Sequence, residues 1–289
     1  MERILVAGAT GLLGSRIARL LLQQGRPVRA LVRDRARAHE LAELGAELVL
    51  GDFKNPHSLH AACTGSSHVV TTANAFMQKA DNTPDRVDVA GTRSLAEAAR
   101  DAGVRRFLFV SAVVAEPDAD VDFYRYKFQA QEAVRASGVP YTIVRPPAFM
   151  DVWAEIVLGK ARTGGAAMIF GDGKRPVNFI AVDDVARAVI DLLDDPTAAN
   201  QIVDLRGPDD LPLLEVVRAY EQRAGHPVKR KHIPIAAMRI LQRILRPFNP
   251  VMSRMMAGGV QIATQTPRFN QPRTQYAQTT FSQWLAQHD

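Results

Sequence analysis

Glycines at positions 8, 11 and 14 stand three residues apart in the run GATGLLG, and this type and spacing imply chemistry most directly in the chain. Glycine adopts torsions that side chains forbid and lets the main chain come close to a ligand. Here Gly8 would make a tight turn, Gly11 would leave room for a pyrophosphate, and Gly14 would let a helix lie close to a strand. Thr10, Leu12 and Leu13 complete the loop and start the helix, whose N-terminal N–H groups and partial positive charge suit phosphate oxygens. The flanks agree. Residues 3–7 form a short apolar run, and Ile17, Leu20 and Leu21 follow at helical spacing. A glycine triplet alone is weak evidence; between a strand and a helix it is a dinucleotide fingerprint.

The elements that must position this loop can be read from periodicity. Strand-like runs near 3–7, 27–32, 46–50, 68–72, 105–111 and 139–145 alternate with helical patterns at about 11–24, 35–44, 56–62, 84–102 and 122–137. That alternation predicts an α/β fold, a doubly wound parallel sheet with helices on both faces. Such a sheet takes its ligand beyond the carboxyl ends of the strands, where strand order reverses. The residues just after each strand are therefore the candidates for binding a cofactor: Arg33, Asp52, Phe53, Ala73, Asn74, Ser111 and Pro146.

After Pro146 and Pro147 the pattern loosens. A helix is expected near 151–163, a return to the sheet near 178–184 followed by a helix over 185–193, and a strand near 203–205. The expected organisation is a nucleotide-binding domain over 1–150, with 177–205 returning to its sheet, and a small, mostly helical substrate lobe built from 151–176 and 206–289.

Bulk properties narrow the classes. The chain has 289 residues, 47% hydrophobic and 23% charged, ordinary for a soluble globular protein. No stretch approaches the roughly 20 apolar residues of a membrane span, and no charged leader precedes an apolar run, so a cytoplasmic protein is expected. A lone Cys63 excludes an internal disulfide, and only His57 and His60 of the seven histidines share helical spacing, so no metal site is expected. Net charge is +6. Much of the excess falls at Arg26, Arg29, Arg33, Arg35 and Arg37, near the expected sugar-phosphate end, and between Lys229 and Arg246. A solvated basic surface accounts for most of it, and no nucleic-acid partner is expected.

Several segments together are similar to the atypical short-chain dehydrogenase/reductase superfamily, most closely its NmrA-like branch. They are GATGLLGS (8–15), RALVRD (29–34), GDF (51–53), FLFVSA (107–112), SGVPYTIVRPPAF (137–149) and NFIAVDDVARA (178–188). The resemblance covers about the first two hundred residues. It implies a Rossmann-type sheet of about seven strands, a nicotinamide dinucleotide, and substrate held by the variable C-terminal part. It also implies that Asp52 accepts from the adenine amino group, with Phe53 beside the ring.

Charge argues which dinucleotide. A carboxylate at the end of the second strand would bond the ribose 2′-hydroxyl and repel a 2′-phosphate, whereas an arginine attracts that phosphate. Val32 holds the carboxylate position and Arg33 follows it, which favours NADP(H). A shift of two residues would bring Asp34 to the ribose; its other role is to cap the next helix.

Catalytic members of the superfamily are expected to carry a Tyr-x-x-x-Lys pair on one helix face, with a serine from the preceding strand. The lysine lowers the phenol pKa so that the tyrosine can exchange a proton with substrate. In DFYRYK, Lys127 and Ser111 fit their positions, but Phe123 stands where the tyrosine would be. Tyr124, three residues before Lys127, is the available substitute acid, while Tyr126 should point elsewhere. Two functions follow. One is reduction of an acceptor that needs no tyrosine, a quinone or an enone. The other is binding NADP(H) without turnover, as a redox sensor of the NmrA type.

Phe76, Val113, Phe149, Met150 and Trp153 form the expected apolar substrate wall, with Asn74 and Asp151 the nearest polar groups. The oligomeric state is not encoded in any readable feature. In segment 233–256, Met238, Leu241, Ile244 and Leu245 recur at helical spacing with Arg239, Arg243 and Arg246 between them. This reads either as a cap helix burying its apolar face over the site or as a basic amphipathic helix on a membrane or a partner.

Overall fold

The structure is a computed structural model that describes residues 2–77 and 81–288. Its frame is a seven-stranded, all-parallel sheet of β1 (Ile4–Ala7), β2 (Val28–Val32), β3 (Glu47–Leu50), β4 (His68–Thr71), β5 (Arg106–Val110), β6 (Tyr141–Arg145) and β10 (Gln201–Asp204). Spatial order is β10-β6-β5-β4-β1-β2-β3. The chain therefore winds outward from β1 to β3, crosses back to β4 on the other side of β1, and winds outward again. The reversal lies between β1 and β4, directly above the glycine turn.

Central strands such as β1, β2, β4 and β5 are buried along their whole length. That is why they read as continuous apolar runs rather than alternating ones. On one face α1 (Leu12–Gln23) and α7 (Val182–Asp194) pack together over a core that includes Ile4, Val6, Ile17 and Val189. On the other, α3 (Pro56–Cys63), α4 (Thr92–Asp101) and α5 (Asp122–Ala136) cover Leu5, Leu59, Phe107 and Phe109. Expected and observed elements agree within a few residues through β6, with two differences. The helix expected over 35–44 is a 3₁₀ turn (Ala36–Ala38) followed by the short α2 (His39–Glu43). The helix expected from 84 begins as a π-helical segment, Asp85–Gly91, before α4.

Beyond β6 the chain builds a second apolar core from Met150, Leu158, Phe170, Phe179, Tyr220 and Trp284. It lies among β7 (Ala148–Phe149), α6 (Met150–Leu158), β8 (Ala166–Phe170), β9 (Pro176–Ile180), β11 (Asp210–Pro212), α8 (Leu213–Ala224), β12 (Lys229–Ile233), α9 (Ile235–Leu245), α10 (Pro250–Thr264) and α11 (Phe281–His288). β11, β9 and β7 form a small sheet, and β12 pairs in parallel with β8. The segment 233–256 is not one helix: Asn249 accepts from the Met252 N–H at 3.1 Å and caps a new start at Pro250. Among the described residues no helix is long and apolar enough to cross a membrane.

Candidate functional site

Gly8 has φ of +87°, a left-handed conformation that favours glycine, and a side chain there would lie 2.8 Å from both Ala73 N and Thr72 Oγ1. A methyl at Gly14 would run into the Gly8 carbonyl oxygen, so α1 rests directly on the turn. Gly11 is the N-cap of α1; it offers no side-chain acceptor, and no acidic residue sits in the first turn. The first N–H groups of α1 and its dipole are thus left to an external anion.

Gly8, Thr10 and Gly11 line a cavity of about 240 Å³ with Asp52, Phe53, Ala73 and Asn74 from the carboxyl ends of the neighbouring strands. Leu12 and Leu13 do not line it: Leu13 is buried in the core and Leu12 faces solvent. Phe53 also packs against the end of the π-helical segment, where a Cβ on Gly91 would come within 2.7 Å of its own Cβ. Asp52 caps its turn by accepting from the Lys54 N–H at 2.8 Å.

Of the five arginines near 26–37, Arg33 and Arg37 line this cavity and have no ion-pair partner among the described residues. Arg26 makes two bonds to Asp194, at 2.7 and 2.8 Å. Arg29 is buried, donating to the carbonyls of Ala62 and Thr64 and pairing with Glu47. Asp34 accepts from the Ala36 N–H at 2.9 Å, and so caps the next turn.

Lys127 reaches the underside of the site from α5. It is 3% exposed, and its Nζ lies 3.1 Å from Oδ1 of the fully buried Asp88. It donates to the carbonyls of Ala73 and Val110, each at 3.4 Å, and sits 4.9 Å from the centre of the Phe109 ring. Burial pushes the Asp88 carboxyl above the ordinary carboxylate range, and the Lys127 ammonium and the Ala75 N–H pull it back. That N–H donates to Asp88 Oδ2 at 2.9 Å, while Arg254 of α10 donates to the Ala75 carbonyl at 2.8 Å. The loop after β4 is held by a cation, a carboxylate and a guanidinium from three elements. Asp88 and Arg254 carry no local sequence signal; only the fold brings them to Lys127.

The expected serine, tyrosine-substitute and lysine do not form one relay. Ser111 is buried and accepts from Gln131 Nε2 at 2.9 Å. Phe123 is buried and packs edge-on to Phe76, with centroids 5.0 Å apart. Tyr124, 5.5 Å from Phe123, lies on the wall of a second, larger cavity of about 740 Å³. Desolvation pushes its phenol up to about 12. Val113, Pro146, Trp153 and Ile262 give this cavity its apolar surface, and Asp120, Gln261 and Gln265 its polar one. Tyr126 does not line it.

Three members of the expected substrate wall lie elsewhere. Met150 is fully buried in the second core, Phe149 packs against the core under the sheet, and Phe76 stands behind Phe123. Asp151 is also committed, accepting from the Val182 N–H and from Arg16, both at 3.1 Å. Among the described residues no cluster of three or more His, Cys, Asp or Glu could hold a metal ion.

A glycine turn of this geometry, at the reversal point of a parallel seven-stranded sheet, defines a Rossmann-type nucleotide fold. Residues 1–270 match the NmrA-like family, and the chain belongs to that family. The match runs well past the first two hundred residues, through α10. Among its relatives is an NAD(P)H azoreductase of Xenophilus azovorans, 34% identical over 229 residues, 78% of this chain and 75% of that one. Two solved structures share the fold over 99% of both chains. They are a Citrobacter triphenylmethane reductase complexed with NADP(H), TM-score 0.81 and 21% identity, and an Escherichia coli NADPH-dependent quinone oxidoreductase complexed with NADPH, TM-score 0.78 and 18% identity.

Proposed function

We propose that this chain is an NADP(H)-dependent reductase of a small, planar, apolar acceptor such as a quinone, an enone or an azo compound. The observation that carries the reading is the placement of the two cavities at one edge of one sheet. The smaller lies beyond β1 to β4 and the larger beyond β5 and β6, so an extended dinucleotide laid from Arg33 across the glycine turn would present its far end to the larger. The relative that reduces azo compounds with NAD(P)H supports the same reaction class.

The residues fit that cofactor. The Gly8–Gly14 contact leaves a cradle that any side chain would fill, and Arg33 and Arg37 are free cations where a 2′-phosphate would lie. When bound, NADPH supplies a hydride. The protein's part is to bind and to orient. Lys127, ion-paired with Asp88 and donating hydrogen bonds to the Ala73 and Val110 carbonyls, fixes the loop between the cavities. Tyr124 stays a neutral phenol because desolvation raises its pKa, so it orients an acceptor oxygen or nitrogen by donating a hydrogen bond. A quinone or azo acceptor can then take its proton from water, which makes Phe123 tolerable. The second core with α10 serves as the substrate lobe.

The test is NADPH oxidation followed with a benzoquinone, an enone and an azo dye. Oxidation with at least one is expected, with turnover reduced in Tyr124→Phe. Tight binding of both NADP⁺ and NADPH without oxidation by any acceptor would overturn the enzymatic reading in favour of a redox sensor. Unchanged turnover in Tyr124→Phe would remove that residue from the mechanism.

A further inference from the structure

The helix expected to bury its apolar face over the site does not do so. In α9 only Met238 is fully inside; Ile240 and Ile244 are 58% and 59% exposed, Leu241 is exposed beside them, and Phe248 just beyond the helix is 84% exposed. At 100° per residue, Ile240, Ile244 and Leu241 fall on one continuous arc of the helix. Arg239 and Arg243 border that arc, Arg246 lies at the helix end, and all three lack an ion-pair partner among the described residues. α9 packs on α10, with the Ser253 hydroxyl donating to the Gln242 carbonyl at 2.8 Å, so the apolar arc is held facing outward.

The charge along this stretch of the chain is one-sided. From residue 222 to 288 the sequence contains ten lysines and arginines and no aspartate or glutamate. A second copy of this face would set arginine against arginine, so self-association through it is opposed by like charge. Bulky aliphatic and aromatic groups on a rigid helix, bordered by arginines whose stems can extend past them to phosphates, match the boundary of an anionic bilayer.

We propose that α9 and Phe248 form a peripheral docking surface for anionic lipid membranes, with Ile240, Ile244, Leu241 and Phe248 entering the acyl boundary and Arg239, Arg243 and Arg246 engaging lipid phosphates. The surface is separate from the cofactor site, and the proposal does not rest on the reductase reading.

The test is flotation of the full chain with vesicles of phosphatidylcholine doped with phosphatidylglycerol, against vesicles of phosphatidylcholine alone and against soluble polyglutamate. Binding to the anionic vesicles is expected. Ile240→Ser with Ile244→Ser should weaken partitioning by at least about tenfold. Arg239→Gln or Arg243→Gln should each weaken it by about fivefold. NADPH affinity and thermal midpoint, measured on the same variants, should stay at wild-type values and so show that they fold. No flotation at low salt overturns the proposal. So does binding that polyglutamate reproduces and the isoleucine substitutions leave unchanged, since that result describes an acidic protein partner.

Discussion

The Lys127–Asp88 pair offers a quantitative test of how the site is held together. Lys127 is 3% exposed and Asp88 fully buried, so each charge depends on the other rather than on water. Asp88→Asn leaves the ammonium without a counter-charge, and loss of one partner of a buried pair costs about 3–5 kcal/mol. Lys127→Met strands the carboxylate instead, but that group can escape by taking a proton. The sign follows from linkage. A carboxyl raised above its ordinary 3.8 in the folded state contributes stability that is full below that value and lost as pH rises through the folded pKa. Removing the ammonium raises Asp88 further, so the deficit of Lys127→Met should shrink as pH falls from neutral. The double variant keeps the Ala75 N–H bond through the asparagine oxygen and buries no charge. Its destabilisation should be smaller than the sum of the singles by about 2 kcal/mol or more. Urea unfolding of the four proteins at neutral and mildly acidic pH measures the cycle. Single-variant losses that add to within about 0.5 kcal/mol would show that the two charges are not coupled, and a Lys127→Met deficit that does not shrink in acid would refute the protonation argument.

Three further outcomes are expected. Gly14→Ala places a methyl against the Gly8 carbonyl and 2.8 Å from Thr72 Oγ1, so NADPH affinity measured by fluorescence titration should fall by at least about tenfold, and near-wild-type affinity would contradict the cradle. His68 is pushed below its ordinary 6.5, first by burial and then by Arg105, so its contribution is complete above about 6.5 and lost as pH falls toward the folded pKa; His68→Asn should flatten the fall in thermal midpoint between neutral and mildly acidic pH. Cys63 is buried and its thiol pushed up to about 12 by desolvation, so iodoacetamide should label it only in denaturant, and rapid labelling of the folded chain would show that its helix opens.

How far the sequence could be read depended on the distance over which each feature is determined. The glycine turn, β1 and α1 are a local unit of about twenty residues, and their pattern was legible because each glycine answers a short-range constraint. Arg33 and Asp34 were legible as alternatives, and a single bond from the Ala36 N–H to Asp34 separates them. β12 was not legible: KRKHI has neither alternation nor an apolar run, and four of its five residues are exposed, so it exists as a strand because β8 offers it an edge. Of the five residues expected in the substrate wall, two were legible. Val113 and Trp153 line the larger cavity, while Met150, one turn before Trp153 on the same side of α6, is enclosed by the second core; Trp153 packs on that core too, but also reaches the cavity wall.

Asp88 marks the furthest limit. It stands thirty-nine residues before Lys127, within a π-helical segment, and nothing in either neighbourhood announces a pair. Its position explains how the site can keep its lysine without the tyrosine at 123. The usual arrangement uses the ammonium to depress a phenol, whereas here the ammonium faces a carboxylate and two carbonyls, and the ring of Phe123 lies 5.8 Å away. Restoring a hydroxyl with Phe123→Tyr would therefore not by itself restore proton transfer. The new phenol would share a lysine already neutralised by Asp88, in a pocket whose other tyrosine is pushed up to about 12 by the same desolvation. What the geometry gives Lys127 is a structural task, pairing with Asp88 and tying the loop after β4 to α5.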